Sequence, residues 1–220
     1  MIFQDRHDAG RRLAAELVLD VRPGDIVLAL PRGGVVVGYE VAVSLGIALD
    51  VLISRKIGAP GNPELAIGAV AEIDGLWMDQ PAMDMLEVSP DYVREEAERQ
   101  RREIDRMIDV YRGGRPLASL DGRTVIVVDD GIATGYTMLA AVKGVREAKP
   151  GELVVAVPVA PQETLWRLSR EADRTVCLAT PEPFYAVGYH YISFDQLSDE
   201  DVVRYLADAN RQLEPRSDQH

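Results

Sequence analysis

The chain has 220 residues, 47% of them hydrophobic and 27% charged, a composition that supplies an ordinary globular core and excludes a disordered or fibrous protein. Its 24 basic and 36 acidic residues leave a net charge of −12, which argues against nucleic acid as the principal partner. No apolar run approaches the ~18 residues of a membrane span, the lone Cys177 excludes an intramolecular disulfide, and the opening MIFQDRHDAG lacks a basic-then-apolar leader, so a cytoplasmic location is expected.

In chain order, residues 5–19 place Leu13 and Leu17 at helical spacing and stop before Arg22-Pro23-Gly24, which predicts a packing helix with His7 at its surface. Residues 25–30, DIVLAL, read as a buried strand ending in the turn Pro31-Arg32-Gly33-Gly34, and the apolar run that follows to Gly46 reads as a helix. A second strand is expected over 49–54, finishing on Arg55-Lys56, two cations at the strand edge where open α/β sheets bind ligands. Residues 57–64, IGAPGNPE, hold two prolines and two glycines and are expected to be irregular, while 65–73 and 76–78 flank an Asp74-Gly75 hairpin turn. Together these resemble a mobile flap. From Ser89-Pro90 to Tyr111 runs a charged helix with an N-cap and a thin apolar stripe of Val93, Ala97, Ile104, Met107, Ile108 and Tyr111, expected to be a solvated face or a dimer contact.

Residues 124–138, TVIVVDDGIATGYTM, form a buried strand that turns abruptly acidic and then glycine-rich. A helix over 138–148, a strand over 153–157, a helix from Pro161 through Trp166 and a strand over 174–179, with Cys177 as a small hydrophobe, follow. Alternating strands and helices predict a three-layer α/β/α fold with a mostly parallel central sheet. The core domain is expected over 1–180, with the flap at about 56–79 and the charged helix at about 89–112; residues 181–220 form a C-terminal hood and tail. In a chain only 6% aromatic, that tail concentrates Phe184, Tyr185, Tyr189, Tyr191 and Phe194, and its end, 214–220, is expected to fray.

The 124–138 stretch carries the chemistry. Gly131 and Gly135 permit torsions that other residues resist, Thr134 and Thr137 offer hydroxyls, and backbone N–H groups converging at a helix start can hold a phosphate. Asp129 and Asp130 cannot face that phosphate comfortably and are left for hydroxyls or a metal. A plain turn at a strand end is the bland alternative. The chain has neither a G-x-x-x-x-G-K-[ST] loop nor a G-x-G-x-x-G after a strand, which removes P-loop ATPases and nicotinamide enzymes. A phospho-receiver strand belongs near a domain's start, not at position 125.

VIVVDDGIATGYT resembles, along its whole length, the 5-phosphoribosyl-1-pyrophosphate signature of the type I phosphoribosyltransferases. The resemblance implies that Asp129 and Asp130 hold the ribose hydroxyls. It places the 5′-phosphate on Ala133, Thr134, Gly135, Tyr136 and Thr137, and the pyrophosphate on Arg32, Gly33 and Gly34, in a loop where the family often has a cis peptide. Arg55-Lys56 and the following IGAPGNPELAIGAVAEIDG resemble the Arg-Lys pair and flexible loop of adenine-type members. By that resemblance Arg55 and Lys56 are catalytic and Glu72 transfers the proton, with Glu64 a second candidate. PEPFYAVGYHY resembles the hood of hypoxanthine-guanine enzymes, so Phe184 or Tyr185 would stack on the base. Two departures stand out: Ala133 replaces an aspartate of those enzymes, and His190-Tyr191 stands where they carry another acid.

The implied activity is Mg²⁺-dependent transfer of the phosphoribosyl group to a purine-like base with release of pyrophosphate. Mg²⁺ is expected to arrive with the substrate, not on direct protein ligands. The expected partners are these small molecules and a second copy of the chain, with neither nucleic acid nor membrane. A non-catalytic regulator that binds the sugar pyrophosphate or a nucleotide on the same fold is the alternative.

Overall fold

The computed structural model describes residues 1–17 and 20–213. Helix α1 (Arg6–Glu16) starts at Asp5, whose carboxylate accepts the Asp8 N–H; of the helix expected over 5–19, positions 18 and 19 lie outside the described residues. Strand β1 (Ile26–Ala29), helix α2 (Gly34–Leu45) and strand β2 (Ala48–Val51) follow, and then three strands, β3 (Ser54–Ala59), β4 (Asn62–Ala71) and β5 (Leu76–Met78). Helices α3 (Gln80–Met85) and α4 (Pro90–Arg112) lead to β6 (Thr124–Val128), α5 (Tyr136–Glu147), β7 (Glu152–Val159), α6 (Gln162–Leu168), β8 (Arg174–Ala179) and α7 (Asp199–Leu213).

Five strands form one parallel sheet in the order β2-β1-β6-β7-β8. Val27, Ala29, Ile126, Val128, Val154 and Ala156 join a core with residues of α1, α2 and α7. The alternate residues Ile26, Leu28, Val125, Val127, Leu153 and Val155 join a second core with α5 and α6, against which Cys177 packs. This is why the strands read as continuous apolar runs: both faces are buried. The fold is the expected three-layer α/β/α arrangement.

The flap differs from expectation. β2 ends at Val51, and Arg55 and Lys56 lie inside β3, opposite Val70 and Ala69 of β4, in a separate antiparallel sheet β3-β4-β5. Residues 57–64 are mostly regular strand. Gly61, at φ +72, turns the chain, and register shifts around Gly58 absorb Pro63. A Cβ on Gly58 would fall 2.6 Å from the Pro63 Cα, so only glycine lets the two strands approach there. The sheet docks on α5 through small residues: Ala69, Ala71 and Ala140 form the seam, and a Cβ on Gly75 would fall 2.0 Å from the Ala140 oxygen.

Two helices are more central than their composition suggests. α4 buries Ala97, Gln100, Ile104, Tyr111 and Arg112 and is not merely a solvated face. α7, within the stretch expected to be hood and tail, packs Val202, Leu206 and Ala209 into the α2-side core. It begins with a reciprocal cap, in which Asp201 Oδ2 accepts the Ser198 N–H at 2.9 Å and Ser198 Oγ accepts the Asp201 N–H at 3.1 Å. The Asn210 carboxamide accepts the Leu49 N–H at 3.3 Å and donates to the Leu49 oxygen at 3.0 Å, covering the free edge of β2. Residues 214–220, expected to fray, lie outside the described residues.

Candidate active site

The strand order reverses between β1 and β6, which are neighbours, and the loops that follow their C-terminal ends meet there, at the place where open α/β sheets have their ligand crevice. The turn after β1 contains a cis Pro31–Arg32 peptide. A Cβ on Gly33 would lie 1.8 Å from Asp130 Oδ2, and one on Gly34 would lie 2.9 Å from the Asp129 Cα. The two loops are thus packed so closely that only glycine fits. After the acids, Ile132 N–H donates to the Val159 oxygen and Thr164 Oγ1 donates to the Ala133 oxygen, both at 2.9 Å. Ala133 and Thr134 remain exposed. Gly135, at φ +79, caps α5, and a Cβ there would meet Thr164 Cγ2 at 2.5 Å. Residues 133–137 therefore sit at the N-terminus of a twelve-residue helix, whose free N–H groups and dipole favour an anion.

The acids have a partner that sequence reasoning missed. Arg6 Nε donates to Asp130 Oδ2 at 2.7 Å, its Nη1 donates to the Asp195 oxygen at 2.7 Å, and its guanidinium lies 3.8 Å from the centre of the Phe194 ring. Tyr191 donates its hydroxyl to the Asp130 carbonyl at 2.5 Å, and burial, then the Asp130 charge, pushes its phenol up. Asp129 Oδ1 accepts the Asp130 N–H at 2.8 Å. Burial raises both carboxyls above the ordinary carboxylate range; the charge of Asp130 raises Asp129 further, whereas Arg6 draws Asp130 back. Nothing in the sequence singles Arg6 out from its charged neighbours. His7, expected at the surface, is bonded to Glu40 at 2.6 Å and to the Tyr205 hydroxyl at 2.9 Å.

The cations approach from two sides. Arg32 is exposed, and its Nε donates to Asp199 Oδ1 at 2.9 Å, the same oxygen that accepts the Tyr111 hydroxyl at 2.6 Å. Burial, followed by that bond to Asp199, pushes the Tyr111 phenol up to about 12. Arg55 and Lys56 line a cleft of about 370 Å³ together with Glu96, Gln100 and, from the first turn of α5, Thr137. Lys56 pairs with Glu64 at 2.8 Å. Tyr136, whose phenol burial and a hydrogen bond to Asp79 push up to about 12, stacks on Trp77 with ring centres 4.6 Å apart, joining the flap to the same first turn of α5.

Glu72 lies elsewhere. Its side chain is 5% exposed and pairs with Arg112, itself 4% exposed, at 2.5 Å, while Oε2 accepts the Ile53 N–H at 2.9 Å. Burial raises its carboxyl above the ordinary range. A carboxyl so enclosed and so paired is a strut between the flap base and the end of α4. In the hood, Phe184 packs inward beside the Phe3, Val159 and Tyr191 cluster, whereas Tyr185 is 75% exposed and offers an open ring face. A Cβ on Gly131 would fall 2.5 Å from Val187 Cγ1, so the hood rests directly on the turn after the acids.

The sequence pattern of the phosphoribosyl transferase domain matches residues 2–189. A provisionally named phosphoribosyl transferase of Mycobacterium tuberculosis is 43% identical over 96% of this chain and 47% of its own length, so the chain spans about half the length of the curated relatives it matches. A crystal structure from Thermus thermophilus superposes with a TM-score of 0.80 at 45% identity, covering 94% of this chain and 99% of that one. A Neisseria gonorrhoeae protein solved with bound ppGpp, at TM-score 0.50 and 15% identity over 94% of this chain and 96% of that one, shares the fold alone. The match over nearly the whole chain, on a parallel sheet whose order reverses between β1 and β6, makes this protein a member of the phosphoribosyl transferase domain family.

Proposed function

We propose that the chain transfers the 5-phosphoribosyl group from 5-phosphoribosyl-1-pyrophosphate to a ring nitrogen of a purine-like base and releases pyrophosphate. The observation that carries this reading is the β1–β6 crevice, where the Pro31–Gly34 turn, two adjacent carboxyls and a helix N-terminus converge. The 133–137 loop would take the 5′-phosphate, Asp129 and Asp130 the ribose hydroxyls, and Gly33, Gly34 and Arg32 the pyrophosphate. Arg55 and Lys56 add positive charge from the flap side of the phosphate loop.

As the C1–O bond breaks, its electron pair leaves with pyrophosphate and the nitrogen lone pair forms the new C1–N bond, through a transition state with oxocarbenium character, while the proton the base gives up passes to the departing pyrophosphate or to water. The protein's part is to hold both phosphate ends, orient the nitrogen and exclude water. Tyr185, with its open face, is the better placed of the two hood residues to stack on a base. Among the described residues no three His, Cys, Asp or Glu side chains converge as a metal cage. Two carboxyls at one strand end nevertheless suit an ion that keeps several waters, and Mg²⁺ bound with the substrate near Asp129 and Asp130 would neutralise the departing charge.

The second reading is a regulator that binds the sugar pyrophosphate without turnover; the enclosed Glu72 and the absence of an acid at Ala133 favour it. Pyrophosphate release, measured with Mg²⁺, the sugar pyrophosphate and a panel of nucleobases, separates the two. Release with at least one base supports the transferase, and binding without release across the panel supports the regulator. Replacing Asp129 and Asp130 together by Asn is expected to abolish binding of the sugar pyrophosphate in either case.

A further inference from the structure

Helix α4 presents a buried polar relay to the flap. Gln100 and Glu96 are each only 8% exposed. Gln100 Oε1 accepts from Arg55 Nε at 3.0 Å, and its Nε2 donates to Glu96 Oε1 at 2.7 Å. Glu96 is held in turn by Arg99, which donates to its two oxygens at 2.6 and 2.7 Å. An ionised carboxylate only accepts hydrogen bonds, so Glu96 decides which end of the amide faces it. With the NH₂ turned to Glu96, the amide oxygen is left for Arg55 Nε. That bond orients the planar guanidinium and leaves its terminal nitrogens for a ligand in the cleft shared with Thr137.

Arg99 holds the Glu96 carboxyl below the ordinary carboxylate range, ahead of the opposing effect of burial, so Glu96 is kept as an acceptor and the Gln100 amide is kept turned toward it. The arrangement makes sense if the direction of Arg55 matters. We propose that Gln100 and Glu96 are positioning residues that hold the Arg55 guanidinium toward a phosphate group of the sugar pyrophosphate. This rests on the proposed function, in which Arg55 meets that substrate.

The test is calorimetric titration of 5-phosphoribosyl-1-pyrophosphate with Mg²⁺ into the full chain and four variants: Arg55→Ala, Gln100→Leu, Glu96→Gln and the double variant Arg55→Ala/Gln100→Leu. Arg55→Ala and Gln100→Leu are each expected to weaken binding about tenfold, the order of one charge-assisted hydrogen bond. The double variant should bind no more weakly than Arg55→Ala alone. Glu96→Gln, which frees the amide to flip, should lie between Gln100→Leu and the unmodified chain, and it carries the test if Gln100→Leu does not fold. The inference is overturned if the folded relay variants bind like the unmodified chain, or if the Gln100→Leu loss persists in full without Arg55, as a merely structural role requires. An unmodified chain that does not bind the sugar pyrophosphate refutes the proposed function itself, whereas one that binds while the relay variants are unaltered refutes this inference alone.

Discussion

The crevice between β1 and β6 and the flap on α5 hold their chemistry by opposite means. In the crevice, backbone touches side chain with no room to spare: Gly33 lies under Asp130 and Gly34 against Asp129. In the flap, the cations are strand residues oriented from a distance, Arg55 by Gln100 of α4, with the sheet's base fastened by the Glu72–Arg112 pair. The first arrangement is set by adjacent loops and admits little substitution. The second depends on long side chains meeting across the fold, so a change on a helix can disturb a residue on a strand.

The largest effect that would break this contrast lies at the flap base. Arg112→Ala leaves the buried Glu72 carboxyl without its cation and is expected to cost about 3–5 kcal/mol of stability in denaturant unfolding, whereas Glu72→Ala, which leaves Arg112 within 4.0 Å of Asp50, should cost less. A loss below about 1 kcal/mol, the scale of an exposed pair, would mean that the pair is not the fastening. On the crevice side, Gly33→Ala forces a methyl group into the Asp130 carboxylate. The expected loss is roughly 1–3 kcal/mol together with loss of sugar pyrophosphate binding, and a variant that binds normally would show the two loops to be freer than their packing implies.

Tyr136 belongs to both regions. Tyr136→Phe keeps the stack on Trp77 and removes the hydrogen bond to Asp79, so stability should fall by about 1 kcal/mol while Trp77 fluorescence stays unaltered. A changed emission spectrum would mean that the hydroxyl, not the ring, holds the flap on the loop. The smallest effect is electrostatic. The folded state raises the Asp129 carboxyl above 3.8, so ionising it costs stability, which is highest below that value and declines as pH rises through the raised one. Asp129→Asn removes that burden and should melt above the unmodified chain at neutral pH, with the gap closing as pH falls to 3.8 and below. A gap independent of pH would assign the difference to packing.

The crevice was largely legible in the sequence because its parts are local. A strand buried on both faces, two acids and a glycine turn lie within fifteen consecutive positions, and the Pro31–Gly34 turn announces itself beside another apolar strand. The flap was misread because two prolines and two glycines between 57 and 64 look like irregular chain. A register shift at Gly58 and a turn at Gly61 keep them in a sheet, and both depend on the partner strand. α7 went unrecognised behind the aromatic tail, although Val202, Leu206 and Ala209 have helical spacing and the Ser198–Asp201 cap precedes them.

Local pattern thus determined the sheet, the glycine-containing turn that starts α5 and the paired acids before it, since period and short motifs are carried by neighbouring residues. Only the tertiary structure decided what those side chains are bonded to. Arg6 and Asp130 are separated by 124 positions, Arg55 and Gln100 by 45, and Glu72 and Arg112 by 40. No spacing rule records such meetings, because they are set by how the sheet, the flap and α4 pack together. That packing enclosed Glu72 against Arg112, brought Arg6 to the acids, and placed Gln100 behind Arg55.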